Sequence, residues 1–119
     1  MKNITLGFSD ITPDQARQVV EAALSIAMTE RERLYYGEYW RFGQSWKGGE
    51  ELLLVPNYNI DEKEWLLEDH RNHAAILYVN ETERADEIVR LLAPWATVIE
   101  STPSPNDHAI ESKPSPNDQ

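Results

Sequence analysis

The stretch that decides how the chain begins to fold is NITLGFSDITPDQ, residues 3–15. Alternate residues of its first half share one face of a predicted strand: Ile4, Leu6 and Phe8. Its second half predicts a helix start, because Thr12 can cap, Pro13 suits the first helical position and Gln15 completes a capping box. Apolar residues at helical spacing extend this helix to about Met28.

An aromatic run follows the predicted helix. Its density of aromatic residues favours a strand over residues 34–42. One face of this strand would carry Leu34, Tyr36, Trp40 and Phe42, and the other face Tyr35 and Tyr39. Residues 43–49 predict a hairpin loop, and 51–55 a return strand that Pro56 stops.

The second half of the chain predicts two more helices and two more strands. Asp61 and Glu64 indicate the start of a short helix that ends near Asp69. Residues 74–79 form an apolar strand of the buried type. Asn80, followed by Glu83, predicts the cap of a second long helix, and residues 96–100 a last strand.

This order of elements predicts an α+β fold. Two main helices separated by a hairpin indicate a two-layer sandwich with a mixed β-sheet of about five strands. A ferredoxin-like variant is the nearest common arrangement. Residues 1–100 are predicted to form this single domain.

The C-terminal segment, residues 101–119, contains most of a direct repeat. Ile99–Asp107 recurs as Ile110–Asp118, with Thr102 replaced by Lys113 as the one difference. Pro, Ser, Asn and Asp bury little apolar surface, so this tail is predicted to be mobile. One duplication is too short for a solenoid.

Charge and composition limit the classes of function. The 119-residue chain has no cysteine and a formal net charge of −10. That charge argues against nucleic acid as a partner, because phosphate backbones require a basic surface. No apolar stretch is long enough to span a membrane, and no signal peptide is evident at the start, so a cytoplasmic location is expected.

Acidic and aromatic residues coincide in the middle of the chain. Residues 50–69 carry seven acids and a single base, Lys63. Tyr and Trp are common interface anchors, and acids at the rim of an interface steer a basic partner. The alternative is that the aromatic residues are core and the acids only increase solubility. The predicted partner-binding residues are Tyr35, Glu38, Tyr39, Trp46, Asp61, Glu62, Glu64, Glu68 and Asp69.

Two histidines are the only other candidates for chemistry. His70 and His73 stand beside carboxylates and can ligate zinc or exchange protons. No third histidine lies near them in the sequence, and the chain has neither a phosphate-binding glycine loop nor a nucleophile elbow. We therefore expect that the protein is not an enzyme and uses no cofactor or metal. The alternative is a small enzyme or ligand-binding domain that uses His70 and His73.

The chain resembles the small immunity proteins of bacterial polymorphic or contact-dependent toxin systems over about residues 1–100. The residues that carry the resemblance are Tyr35–Trp40, His73–Val79 and Arg84–Glu87. The resemblance implies a cytoplasmic inhibitor that binds a cognate toxin domain, often a nuclease, through an acidic surface. A homodimeric structural module, paired through a sheet edge or an aromatic face, is a further alternative.

Overall fold

A computed structural model describes residues 2–33, 37–43, 49–59 and 62–103. Within them the helices are α1 (Pro13–Leu24) and α2 (Ala85–Leu92). The strands are β1 (Lys2–Phe8), β2 (Thr29–Arg33), β3 (Gly37–Gly43), β4 (Glu51–Pro56), β5 (Tyr58–Asn59), β6 (Glu64–Trp65), β7 (Ala75–Thr82) and β8 (Ala96–Pro103). A 3-10 turn covers Glu68–His70. The α+β class with two main helices is confirmed.

Six of the described strands form one sheet in the order β2-β3-β4-β7-β1-β8. Its four strands β8-β1-β7-β4 have the order and direction of a ferredoxin-like sheet, and β3 and β2 extend that sheet at one edge. All five pairings are antiparallel, so the prediction of a mixed sheet is wrong. β1 pairs with β7 on one side and β8 on the other, so the first and last described strands are neighbours.

Both helices pack on the same face of this sheet. The buried cluster between the layers joins alternate residues of the central strands to one face of each helix. Its members include Ile4, Leu6, Phe8, Val20, Leu52, Leu54, Leu77, Val79, Ile88 and Leu92. The alternation predicted for β1 is therefore confirmed, because its three apolar residues all lie in this core.

Helix α1 begins as predicted but ends earlier. The capping box is present: Thr12 Oγ1 accepts from the Gln15 amide at 3.1 Å, and Gln15 Oε1 from the Thr12 amide at 2.9 Å. The helix stops at Leu24 because Ser25 adopts a left-handed conformation, with φ of 56°. Glu21 then accepts a bond from the Met28 amide at 2.9 Å, which turns the chain towards the sheet.

The additional strand is β2, which the sequence does not reveal. Its residues, Thr29 to Arg33, alternate acid and base and carry no apolar period. An edge strand can be polar, so β2 needs no apolar period in its sequence. Its pairing with β3 is enough to place it in the sheet. Trp40 and Phe42 pack against the core as predicted, whereas residues 34–36 lie outside the described part of the chain.

The predicted helix over residues 61–69 is wrong. β5 and β6 form a small antiparallel hairpin instead, with Tyr58 opposite Trp65. Lys63 has a φ of 57°, which a helix does not allow, and its amide donates to the Asn59 carbonyl at 2.8 Å. Asn59 Oδ1 accepts from the Glu62 amide at 3.1 Å. Local asparagine bonds therefore compete successfully with the helix.

Strand β7 is longer than predicted, so Asn80 is not a helix cap. The side-chain Nδ2 of Asn80 donates instead to Glu51 Oε1 at 3.3 Å across the sheet. Helix α2 begins five residues later, and the Thr82 hydroxyl oxygen accepts the Arg84 amide at 3.1 Å just before it. The predicted face of Ala85, Ile88, Val89 and Leu92 packs on the core.

The described fold extends to Pro103, three residues beyond the predicted domain boundary. The rest of the predicted tail and Trp46 fall outside the described residues. Among the described helices, neither has the length and apolar character needed to cross a membrane.

Candidate protein-binding groove

A groove of about 680 Å³ opens where the start of α1 meets β2, β3 and the end of β4. We call it the α1–β3 groove. The capping box aims the first turn of α1 into it, and the β2–β3 pairing supplies its opposite wall. Its lining is Thr12, Pro13, Asp14, Arg17, Met28, Glu30, Glu38, Trp40, Pro56 and Tyr58.

The charged lining of the groove is mainly acidic. Asp14, Glu30 and Glu38 are all exposed. Arg17 is the one cation among the described lining residues, and it is already paired with Asp14 at 2.9 Å and with Glu21 at 2.8 Å. Its hydrogen bond to Asp14 raises the pKa of the guanidinium, so it stays charged. The groove therefore offers carboxylates to a positively charged partner.

Aromatic side chains supply the apolar part of the same groove. The Arg17 guanidinium carbon lies 5.8 Å from the centre of the Trp40 ring, within the range of a cation–π contact. Tyr58 is 39% exposed, and its ring centre lies 4.9 Å from that of Trp65. Arg71 stands 5.6 Å from the Trp65 ring. Both tryptophans thus already receive a cation from this chain, while Tyr58 presents a supported aromatic surface to solvent.

A smaller cavity of about 150 Å³ continues the surface along the β5–β6 hairpin. Pro56 lines both this cavity and the groove, so the two adjoin. Glu62 and Glu64 line the smaller cavity beside Trp65, and both are exposed. Three of the predicted partner-binding acids, Glu38, Glu62 and Glu64, are therefore brought to one stretch of surface.

Asn57 places the hairpin that carries Tyr58 and Trp65. Its side chain is fully buried, donates to the carbonyls of His70 (2.8 Å) and His73 (2.9 Å), and accepts from the Leu67 amide at 2.8 Å. Its backbone bonds Ala74 and Leu66. One side chain therefore ties both ends of residues 57–74 together.

Glu68 and Asp69 lie apart from the α1–β3 groove. They are exposed and line a different cavity of about 430 Å³ with His70, Tyr78 and Glu100. Arg71 pairs with Glu68 at 3.0 Å. The predicted acidic surface is therefore divided between two places.

Two acids of the predicted run, Glu50 and Glu51, lie at the start of the inner strand β4 and are paired within the fold. The Glu50 carboxylate accepts hydrogen bonds from Arg84 Nε at 2.9 Å, from Arg84 Nη2 at 2.7 Å and from the Thr82 hydroxyl at 2.6 Å. Burial raises the pKa of Glu50, but these three bonds outweigh burial and hold it below the usual 4.5. Glu51, 8% exposed, pairs with Arg41 at 2.7 Å. Neither acid is offered to a partner.

The histidines form a packed pair. His73 is 7% exposed, its Nδ1 lies 2.8 Å from Ser9 Oγ, and its ring covers Gly7, where an added Cβ would approach to 2.6 Å. The ring centre of His70 is 5.9 Å away. Burial, with a smaller contribution from His70, lowers the pKa of His73 below 6.5. Among the described residues, no three His, Cys, Asp or Glu side chains gather around one point that could hold a metal ion.

Tyr39 corrects the sequence prediction. It lies on the face opposite Trp40, as the alternation predicts, but it is only 3% exposed. Its ring is therefore core and is not available as an interface anchor. Tyr35, Trp46 and Asp61 lie outside the described residues.

The groove also contains residues that the sequence did not single out. Asp14 and Glu30 are close to Glu38 only because α1 and β2 flank β3. Tyr58 lies between the predicted strand over residues 51–55 and the predicted helix over residues 61–69, in neither element. The one available signal was the Thr29–Arg33 alternation of charges, which is compatible with a polar edge strand.

The chain matches no protein-family model and no curated protein.

Proposed function

We propose that this protein is a binding protein whose α1–β3 groove takes a basic segment of a protein partner. One observation carries the proposal: exposed carboxylates and a supported aromatic side chain line the same groove, and Arg17, the one cation among its described lining residues, is already neutralised. Carboxylates around an aromatic centre are the arrangement that attracts arginine and lysine side chains.

The partner chemistry follows from the charge balance. Glu30 and Glu38 can each pair with a guanidinium or an ammonium group. The net charge of the whole chain, −10, adds a long-range attraction. Tyr58 supplies apolar contact area at the wall of the groove. A partner with a protruding basic loop or strand fits this surface better than a flat apolar one.

The resemblance to immunity proteins extends the proposal to a biological role. In that role the protein is cytoplasmic, is no enzyme, and neutralises a cognate toxin domain such as a nuclease, whose nucleic-acid-binding surface is basic. The acids of the groove then occupy the place of the nucleic-acid phosphates.

Neutralising the groove acids tests the proposal. We expect Glu30→Gln with Glu38→Gln to weaken binding of an oligoarginine peptide about fivefold at low salt, because each exposed charge contributes up to about 1 kcal/mol. Isothermal titration calorimetry measures the affinity. The wild-type protein and the double variant are also compared in the capture of basic proteins from a host lysate.

Glu83→Gln with Glu87→Gln is the matched control, since both residues are exposed, lie outside the groove lining and change the net charge equally. Equal weakening by both variants would show that only net charge matters. No weakening by the groove variant would reject the groove as the binding site.

A further inference from the structure

Strand β2 is an open edge of the sheet. In the described part of the chain it pairs with β3 alone and ends the strand order. The side chains of Thr29, Glu30 and Arg31 are all exposed. An edge strand presents a row of backbone N–H and C=O groups with which a strand of another chain can pair. The sheet can therefore be extended at β2.

Two recesses border this edge, one on each face of the sheet. Glu30 stands opposite Trp40, whose ring packs against the core on the helix side, and Glu30 lines the α1–β3 groove. Thr29 and Arg31 alternate with Glu30 along the strand and fall on the other face. Together with Arg41 they line a second recess of about 630 Å³, which we call the β2–β4 cavity. Successive residues of one edge strand thus belong to different recesses.

The free charge of the β2–β4 cavity is positive. Arg41 is paired with Glu51 at 2.7 Å, and Glu50, another lining residue, is paired with Arg84 at 2.7 Å. Arg31 is exposed and makes no ion pair with the described residues. The α1–β3 groove offers carboxylates instead, because its one described cation is paired. The two sides of the edge therefore attract opposite charges.

The order of charges in β2 opposes pairing between two copies of this protein. In an antiparallel pair with a two-fold axis, the residue at the axis stands opposite itself. An axis at any residue from 30 to 33 therefore sets two acids or two bases against each other, and like charges in directly facing positions destabilise a strand pair. A strand with bases opposite the acids and acids opposite the bases is stabilised at the same positions. The edge thus rejects its own copy and accepts a complementary strand.

We propose that an extended segment of the protein partner adds to β2 as a further strand and carries alternating basic and acidic residues. Its basic side chains point to Glu30 and Glu38 in the α1–β3 groove, and its acidic side chains to Arg31 in the β2–β4 cavity. Backbone hydrogen bonds to β2 supply affinity, and the two recesses supply specificity. This inference rests on the proposed function, because it takes the groove as the site of the basic side chains, and it adds the conformation and the charge order of the bound segment.

Two peptides of equal composition test the charge order. One alternates lysine and glutamate, and the other carries the same residues in two separate blocks. We expect the alternating peptide to bind the full chain about tenfold more tightly at low salt, because only its charges match the edge position by position. Isothermal titration calorimetry measures both affinities. Equal affinities would overturn the proposed charge order.

Arg31→Glu tests the second recess. The variant makes the protein more acidic, so net charge alone would strengthen its binding of a peptide with a lysine excess. The strand proposal predicts the reverse, with the alternating peptide bound about fivefold more weakly, because a glutamate then faces Arg31→Glu. Arg90→Glu is the matched control, since Arg90 is exposed, lies outside both recesses and changes the net charge equally. Equal affinities of the two variants would reject the role of Arg31.

Backbone methylation tests the strand pairing itself. In an added strand, alternate residues direct their N–H groups to β2, so all these residues have side chains on one face. Methylating the backbone nitrogens of either the lysines or the glutamates should therefore weaken binding by more than about tenfold in one case and less than about twofold in the other. Equal affinities of the two methylated peptides would overturn strand addition.

The oligoarginine peptide separates this inference from the proposed function. If Glu30→Gln with Glu38→Gln weakens oligoarginine binding while the two methylated peptides bind equally, the groove is a binding site and strand addition is wrong. If the double variant weakens the binding of neither oligoarginine nor the alternating peptide, the groove proposal fails and the strand proposal fails with it.

Discussion

Among single residues, the buried polar side chain of Asn57 has the clearest effect on local structure. Asn57 uses both ends of its amide in three hydrogen bonds to a connection that otherwise has only short strands. Such bonds are demanding, because a buried carbonyl or amide left without a partner costs about 1–3 kcal/mol. A residue in an irregular segment is therefore one of the main determinants of the groove's geometry.

Asn57→Ala is expected to lower the free energy of unfolding by about 3 kcal/mol, since the His73 carbonyl and the Leu67 amide lose their bonds to Asn57 and the His70 carbonyl keeps only the His73 amide. Chemical denaturation measures this change. Asn72→Ala, an exposed asparagine in the same segment, should change stability by less than about 0.5 kcal/mol. A similar loss in the two variants would contradict the role given to Asn57.

Helix α1 begins at a locally determined position and ends at one that tertiary contacts determine. The start of α1 needs only residues 12 to 15, whose bonds are all within one turn. Its end needs Ser25 in a left-handed conformation and the Glu21 carboxylate, because β2 must reach the sheet edge. No glycine or asparagine marks that end, so periodicity alone overruns it.

Thr12→Ala should lower stability by about 1 kcal/mol because the Gln15 amide loses its cap. Thr12→Ser keeps the hydroxyl oxygen and should recover most of the loss. Thermal and urea unfolding of the three proteins provide the comparison, and equal stability of Ala and Ser variants would show that the cap contributes nothing.

The whole molecule should lose stability on acidification in two stages. The pKa of native His73 is below the 6.5 of the unfolded chain, so unfolding takes up a proton between these values. The contribution of His73 is complete above pH 6.5 and decreases as the pH falls towards its native pKa. The pKa of native Glu50 is below 4.5, so its contribution is complete above that pH and is lost as the pH falls through the native value.

Urea unfolding at a series of pH values measures both stages. His73→Gln should remove the dependence just below pH 6.5 and leave the more acidic stage. Glu50→Gln should remove the acidic stage only. A His73 variant with the wild-type pH profile between pH 5 and 7 would show that another group is responsible.

Only part of the candidate site could be read from the sequence. Glu38, Glu62 and Glu64 are exposed acids at the groove and its continuation, as charge counting indicates. Tyr39 was predicted to be an interface anchor but is buried. Alternation in a sequence reveals which face of a strand a side chain occupies, but not what covers that face. The acids of residues 50–69 look alike in sequence, yet Glu50 is bonded to Arg84, 34 residues away.

Interactions between residues close in sequence control the capped start of α1, the alternation in β1 and the apolar face of α2, and the α+β class could be predicted from them. Tertiary structure alone decided the end of α1, the charged strand β2, the hairpin fastened by Asn57, and the meeting of Asp14, Glu30 and Tyr58 in one groove. The physical reason is distance along the chain. Periods and caps involve neighbours within a few residues, whereas burial, ion pairing and groove formation depend on partners that only the folded sheet brings together.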